Sequence, residues 1–136
     1  MWLYNGKEFT EEQIEKNIGY VYLITNKIDG RKYIGKKLFY FSKTRTVKGK
    51  KKREKVLSDW KSYWSSSDEL KNDVQTLGES NFTREILHLC MNKGSMSYLE
   101  AKLQFQFEVL ENPSQWYNGI IQCRVHRSHV KIGQTK

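Results

Sequence analysis

The feature that most constrains the fold is a pair of short apolar segments on either side of a polar turn. Residues 19–25, "GYVYLIT", are rich in aromatic and β-branched side chains, which favour a strand. "NKIDGRK" follows, and an Asp-Gly pair inside a short polar linker is typical of a hairpin turn. The return strand begins at Lys32 and is expected to run on through "KKLFYF". The pattern predicts an antiparallel hairpin with Tyr22 and Tyr33 on neighbouring strands. The two side chains are either ordinary packing residues or part of a functional site.

The remaining chain supplies a third strand and two main helices. A lone hairpin is marginal in water, and "NFTREILHLC" at 81–90 has the composition of a further strand. A helix over about 66–78 is predicted by a Ser66–Glu69 capping box and by Gly78 as its stop. A longer apolar period over 95–112 predicts a helix that Pro113 ends. We expect a single α+β domain over 1–136, with a small three-stranded, mostly antiparallel sheet flanked by helices.

Positive charge is concentrated in one segment. The formal net charge is +9, and residues 43–55, "KTRTVKGKKKREK", contain eight Lys/Arg and one Glu. A nearly neutral domain with one cationic segment suits a polyanion. A membrane surface fits less well because the segment has almost no apolar residue to bury. Gly49 and the lack of an apolar period predict a flexible or extended loop, inserted after the hairpin.

The cysteines and histidines leave two interpretations of the C-terminal region open. The spacing of "CRVHRSH" would let a coil wrap a metal ion, but the chain has no Cys-x-x-Cys pair. Arg124 and Arg127 also fit a phosphate-contacting tail at about 121–136. The candidate zinc ligands are His88, Cys90, Cys123, His126 and His129.

Residues 20–37, "YVYLITNKIDGRKYIGKK", resemble the signature of the GIY-YIG endonucleases. Tyr33-Ile34-Gly35 matches the second half of that signature, while the first half keeps its tyrosine at Tyr22 and has Tyr20 in place of glycine. "YLEAKLQFQF" looks like the family helix with the metal-binding glutamate, here Glu100, and "WYNGI" like the element with an asparagine, here Asn118. "YWSSSDELKNDVQTLGESNFTREIL" is similar to phage-type homing nucleases. The resemblance spans about 18–120.

The resemblance implies a metal-dependent endonuclease that hydrolyses phosphodiesters of double-stranded DNA. It implies one Mg²⁺ held by Glu100, with Mn²⁺ as an expected substitute, and hard oxygen ligands suit that ion. Tyr22 would activate the attacking water, and Tyr33 would orient it. A free phenol has a pKa of about 10, too high for a base at neutral pH. We therefore expect a neighbouring cation to lower the pKa of Tyr22, with Lys36, Lys37 and Arg45 as candidates.

The family also uses an arginine to stabilise the phosphorane, and here that position falls near Lys43. Arg45 is the first candidate, Arg53 the second, and a lysine such as Lys37 the third. The family's histidine has no clear counterpart, and Tyr63 or Ser65 is the candidate to replace it. The predicted DNA contacts are Lys36, Lys37, Lys43, Lys48, Lys50, Lys51, Lys52, Arg53 and Asn118.

Three functional readings stay open at this point. The first is a phage-type homing endonuclease in the cytoplasm of a host cell. The second is another endonuclease of the same family, acting in restriction or else in repair or recombination, and the third is a non-catalytic nucleic-acid-binding module that keeps the fold. One active site cuts one strand per encounter, so nicking, double-strand cleavage and a homodimer are all compatible with the sequence.

Overall fold

The structure is a computed structural model, and it describes residues 1–132. Its strands and helices, in chain order, are β1 Trp2–Tyr4, β2 Lys7–Glu8, β3 Gly19–Asn26, β4 Lys32–Leu38, β5 Tyr40–Val47, β6 Lys50–Leu57, α1 Asp68–Leu77, β7 Phe82–Cys90 and α2 Lys93–Gln106.

The main sheet has five strands in the order β2-β1-β7-β3-β4. β1 runs parallel to β7, whereas the other neighbours are antiparallel, so the sheet is mixed. The α+β class and the strand at 82–90 are confirmed, but the prediction of three strands omitted β1 and β2. Three residues are too few for an alternating pattern to be visible. Trp2 holds β1 in place, since its ring is buried and its Nε1 donates to the Trp60 carbonyl at 2.7 Å.

The predicted hairpin is confirmed as β3 and β4. Tyr22 pairs with Gly35, and Ile24 pairs with Tyr33. Asn26 closes the connection because its Oδ1 accepts from the Ile28 amide at 2.9 Å. Since alternate strand residues share a face, this register places both tyrosine rings on one face of the sheet.

The helices cover opposite faces of the sheet. Apolar residues of α1 join the cluster of Tyr20 and Tyr22, and those of α2 join the cluster of Val21 and Ile34. No helix within residues 1–132 is long and apolar enough to cross a membrane.

The predicted boundaries of both helices need correction. The cap of α1 is Ser67, not Ser66, since the Ser67 side chain accepts from the Leu70 amide, while Gly78 ends the helix as expected. α2 ends at Gln106 rather than near Pro113, because the chain turns at Glu108 (φ 54°) and buries Val109.

The basic segment is a β-hairpin, so the prediction of a loop was wrong. β5 and β6 pair along all eight residues of each strand, as a two-stranded sheet separate from the main one. Lys48 and Gly49 form its turn with φ values of 51° and 76°, the left-handed backbone that a tight two-residue hairpin requires. We call residues 40–57 the basic ribbon. Its base is fixed by Ser58, whose amide donates to the Phe39 carbonyl at 2.8 Å.

The segment after α2 covers the outer edge of β4. The Lys32 amide donates to the Gln115 carbonyl at 2.9 Å, and the Tyr117 amide donates to the Lys32 carbonyl at 2.8 Å. This contact pairs backbone groups that an edge strand otherwise leaves open. Of the basic tail predicted at 121–136, residues 133–136 lie outside the described part of the chain.

Candidate active site

A cleft of about 200 Å³ lies at the edge strand β4, and the two signature tyrosines form one of its walls. The rings of Tyr22 and Tyr33 are stacked, with centroids 6.1 Å apart and planes 28° apart. Tyr22 is 1% exposed and also meets the Trp2 ring edge-on. Tyr33 hydrogen-bonds through its hydroxyl to Ser66 Oγ at 3.2 Å. The two rings therefore face a common site, as the hairpin register predicts.

Gly35 is the residue that lets the rings reach this edge. It lies opposite Tyr22, and a Cβ at this position would come within 2.6 Å of Tyr22 Cζ and 2.8 Å of Tyr33 Cε1, and would also overlap Tyr22 Oη. The glycine of the Tyr-Ile-Gly sequence is thus required by space.

We expect Gly35→Ala to lower any cleavage activity at least about a hundredfold and to destabilise the fold by roughly 1–3 kcal/mol, since the methyl group must displace both rings. Thermal unfolding and a cleavage assay measure the two effects. Gly119→Ala is the control, because a Cβ there meets nothing within 4 Å. Equal behaviour of the two variants would contradict the spatial role of Gly35.

The opposite wall comes from the other face of the sheet. Lys36 and α2 lie on that face, and Glu100 of α2 meets the two tyrosines at the cleft beside β4. Lys36 Nζ donates to Ser97 Oγ at 2.7 Å and lies 3.8 Å from Glu100 Oε1. The Glu100 side chain is only 13% exposed, and this burial raises its pKa, while the Lys36 ammonium lowers it in part.

Gln104 adds a second hard oxygen to the cleft. It lies one helical turn after Glu100, donates from Nε2 to the Ile34 carbonyl at 3.0 Å and is 4% exposed. Its Oε1 is buried without a hydrogen-bond partner, and such an atom is costly unless a ligand or water meets it. One carboxylate with a nearby amide oxygen fits a magnesium ion that keeps most of its waters. No group of three His, Cys, Asp or Glu that could hold a metal occurs within residues 1–132.

The expected lowering of the Tyr22 pKa is wrong. Burial raises the pKa of Tyr22 well above its ordinary value, and the neighbouring Tyr63 and Tyr33 raise it further. Each of the three candidate cations is paired with a carboxylate. Lys36 contacts Glu100, Lys37 Nζ lies 2.7 Å from Asp59 Oδ1, and Arg45 pairs with Glu54 at 3.0 Å.

Tyr63 occupies the space beside Tyr22, where the resemblance left the family's histidine unplaced. Its ring meets the Tyr22 ring edge-on at 6.1 Å, and the contact between the two phenols raises the pKa of Tyr22 while it lowers that of Tyr63 in part. Lys37 Nζ lies 4.0 Å above the Tyr63 ring, and Arg84 Nη1 donates to the Tyr63 carbonyl at 2.8 Å. Ser65, the other candidate, is buried and accepts from the Ser67 amide instead.

Arg45 and Arg53 do not reach the cleft, since both belong to the basic ribbon. The residues that line the cleft are Tyr22, Tyr33, Lys36, Ser66, Glu100, Gln104, Ile120 and Gln122, which include no arginine of the described chain. Lys36 is the cation at this site, whereas the sequence assigned it a DNA contact and a candidate role in lowering the Tyr22 pKa. Lys43, Lys48, Lys50, Lys51 and Lys52 lie on the ribbon with the two arginines.

Asn118 is a structural residue in this fold rather than an exposed DNA contact. It is 6% exposed, its Oδ1 accepts from the Ile34 amide at 3.1 Å, and its Nδ2 donates to the Ile34 carbonyl at 2.8 Å. Lys37 is similarly occupied, with a side chain that is 10% exposed.

The candidate zinc ligands do not assemble in the described residues. Cys90 is buried and Cys123 is exposed, and both are free thiols. The rings of His126 and His129 meet edge-on with centroids 5.9 Å apart, and His126 Nδ1 accepts from the Ser128 amide. His88 is an exposed residue of β7.

Comparison with known families gives one match over residues 2–121, to the family described as "Putative endonuclease segE, GIY-YIG domain". A search of curated proteins and a search of solved structures gave no match. The family match covers most of the chain and includes every residue that lines the cleft except Gln122.

Proposed function

The chain belongs to the GIY-YIG endonuclease family, of the phage type, and is a nuclease by that membership. We propose that it hydrolyses phosphodiester bonds of double-stranded DNA at the cleft beside β4, in a reaction that needs one divalent cation. The observation that carries this proposal is the meeting of Tyr22, Tyr33, Lys36 and Glu100 around one small cleft.

Glu100 is the proposed ligand of the cation, with Gln104 Oε1 as acceptor for one of its waters. Mg²⁺ is the proposed ion and Mn²⁺ its substitute, because both accept hard oxygen ligands. When bound, the ion supplies electrostatic stabilisation to a phosphate oxygen. Lys36 keeps Glu100 oriented before DNA arrives, because its ammonium bridges Ser97 and Glu100.

Tyr22 acts in this proposal as a neutral hydroxyl that relays a proton. Its raised pKa disfavours a phenolate at neutral pH. Its hydroxyl can instead accept the proton of the attacking water while giving its own proton to Tyr63. The contact with Tyr22 lowers the pKa of Tyr63 in part, although burial raises it overall. Tyr63 is partly exposed, so it can release its own hydroxyl proton to solvent water as it takes up the proton from Tyr22. Tyr33 orients the water or phosphate through its hydroxyl.

Lys36 is the proposed source of positive charge at the phosphorane, the role that the family gives to an arginine. A fixed cation in a partly buried cleft stabilises developing negative charge more than one in water does. The phosphate would enter between Lys36 and Tyr33, and the Glu100 carboxylate would then be shared between the ammonium and the metal ion.

The rival is a binding module that keeps the fold without cleaving. Tyr20, which replaces the signature glycine, does not support this rival, because its side chain is fully buried against Trp2 and Phe39 and lies outside the cleft. Homing, in the cytoplasm of a host cell, is the biological role that we propose, with restriction as the second candidate. One cleft per chain favours nicking, unless a homodimer cuts both strands.

Incubation of supercoiled plasmid with the purified protein, with and without Mg²⁺, tests the proposed activity. We expect nicked or linear product only with the metal, and chelation should stop its formation. Genomic DNA of a candidate host is the second substrate, since a single plasmid can lack the preferred site. Salt-sensitive binding to both substrates without any cleavage would support the binding module instead.

The pH dependence of metal use tests the state of Glu100. Its pKa is raised in the fold, so the carboxylate takes up a proton, and loses the metal, at a higher pH than an exposed glutamate of pKa about 4.3 would. We expect the Mg²⁺ concentration for half-maximal cleavage to rise about tenfold for each pH unit below the Glu100 pKa. The pH below which this rise begins should be still higher in Lys36→Met, since the Lys36 ammonium lowers the pKa of Glu100. If metal use were lost only at or below the pKa of an exposed glutamate, Glu100 would not be the metal ligand.

A further inference from the structure

We propose that the basic ribbon lies in the major groove of double-stranded DNA, with each of its two faces turned towards one of the phosphate backbones that border the groove. This inference rests on the proposed DNA substrate and adds how the duplex is held. It depends on how the charges of the ribbon are divided between its faces.

The register of β5 and β6 assigns every cation of the ribbon strands to a face, since residues paired across an antiparallel sheet project to the same side. One face, called face A, contains four cations and one acid: Lys43, Arg45, Lys50, Lys52 and Glu54. The opposite face, called face B, contains three cations and no acid: Lys51, Arg53 and Lys55. The two faces therefore carry the same net charge.

Equal charge on both faces is informative because a ribbon lying flat on DNA needs cations on one side only. All seven of these cations belong to exposed residues, and within residues 1–132 the pair Arg45–Glu54 is the one ion pair among them. Protection of a free sheet edge from aggregation is the alternative reason for lysines, but a few charges are enough for that. In a major groove, the phosphate backbone on each side would contact one face of the ribbon, which accounts for cations on both faces.

The dimensions of the ribbon agree with a groove. The major groove is about 12 Å wide and admits a two-stranded ribbon, and a sheet with its side chains is about 10 Å thick. Eight residues in each strand, at about 3.4 Å per residue, extend about 27 Å, which is close to eight base-pair steps.

A chain of contacts through Lys37 and Tyr63 connects the base of the ribbon to the candidate active site. Lys37 Nζ lies 4.8 Å from the centre of the Phe41 ring, at the start of β5, and 4.0 Å from the centre of the Tyr63 ring. Tyr63 in turn contacts Tyr22. DNA held along the ribbon would thus be continuous with the cleft, and the ribbon would position the duplex without reading its sequence.

Two matched triple variants test the inference, one for each face. The variant of face A is Lys43→Gln with Lys50→Gln and Lys52→Gln, which leaves the Arg45–Glu54 pair intact. The variant of face B is Lys51→Gln with Arg53→Gln and Lys55→Gln. The control removes three exposed lysines elsewhere, by Lys7→Gln, Lys16→Gln and Lys27→Gln, so that net charge falls equally.

Affinity for a labelled 30-base-pair duplex is measured over a range of salt concentrations without divalent metal, and thermal unfolding confirms that each variant is folded. We expect the slope of log affinity against log salt to lose about two to three units in each face variant and to stay unchanged in the control. If one face variant kept the wild-type slope, the proposal that both faces contact phosphate backbones would be overturned. Equal losses in the control, or equally tight binding of wild type to single-stranded DNA, would overturn the groove itself.

The same variants separate this inference from the proposed function. Cleavage by each face variant at limiting DNA should fall in proportion to its loss of affinity, because the ribbon holds the duplex but does not line the cleft. A wild-type protein that binds through both faces and cuts nothing would refute the nuclease proposal and leave the ribbon inference standing. If the wild type cleaves DNA but one face variant keeps the wild-type salt slope, the ribbon inference is refuted and the nuclease proposal stands.

Discussion

Glu100→Gln is expected to reduce metal-dependent cleavage by about a hundredfold to a thousandfold while leaving the fold at least as stable. The amide keeps the size of the side chain and its contact with Lys36, but it removes the charge that would bind the cation. The carboxylate is 13% exposed and its pKa is raised, so its ionised form is disfavoured by the fold. A group with a raised folded pKa contributes stability at low pH that is lost as the pH rises through that pKa.

The stability of the wild type relative to the Glu100→Gln variant should therefore fall as the pH rises, a trend that thermal unfolding measures across a pH series. Glu85→Gln is the control, because Glu85 is exposed on β7 and does not line the cleft. It should keep full activity. Cleavage by Glu100→Gln at the wild-type rate would exclude Glu100 as the metal ligand, whatever its effect on stability.

Tyr22→Phe is expected to lower the rate of cleavage by about a hundredfold to ten-thousandfold, the range for loss of a group that transfers a proton. The ring contacts with Trp2 and Tyr33 remain, so the fold and DNA affinity should change little. Single-turnover kinetics at saturating DNA measure the rate, and duplex affinity without metal measures binding. A fall in affinity with an unchanged rate would assign Tyr22 to DNA binding instead of chemistry.

Tyr20→Phe is the matched control for this change. Tyr20 lies two residues before Tyr22 on the same face of β3, but outside the cleft, and its hydroxyl is buried without a hydrogen-bond partner. Removal of an unpaired buried hydroxyl costs little or stabilises. Activity should therefore be retained and the melting temperature should stay equal or rise.

The elements that the sequence predicts correctly are those with strong local patterns. The Asp-Gly turn and the β-rich segments around it define β3 and β4, and the register then follows. The basic ribbon was missed because lysine-rich segments have low strand propensity. A signal was present in Lys48-Gly49 between two eight-residue segments, yet a lysine rarely takes the left-handed backbone that this turn requires.

Prediction of the candidate site was limited by contacts that depend on the whole fold. Gly35 and the two tyrosines could be grouped from the hairpin, and Glu100 from the resemblance. Lys36 could not be separated from the other lysines, because its role depends on α2 lying beside β4. Gln104 carries no sequence signal, since only burial makes its unpaired oxygen informative.

Whether folding raises or lowers the pKa of Tyr22 could not be predicted from the sequence. Three cations were candidates to lower it, but in the fold Lys37 pairs with Asp59, Lys36 with Glu100 and Arg45 with Glu54. What surrounds Tyr22 instead is aromatic, and burial among aromatic rings disfavours a phenolate.

The most direct test of the account is the position of the metal and the scissile phosphate. Crystals of the protein with Mn²⁺ and a DNA duplex whose scissile phosphate resists hydrolysis would locate the ion by its anomalous scattering. The account predicts one ion at a Glu100 carboxylate oxygen, with a phosphate between Lys36 and Tyr33. An ion bound elsewhere, or a phosphate held away from this cleft, would contradict it.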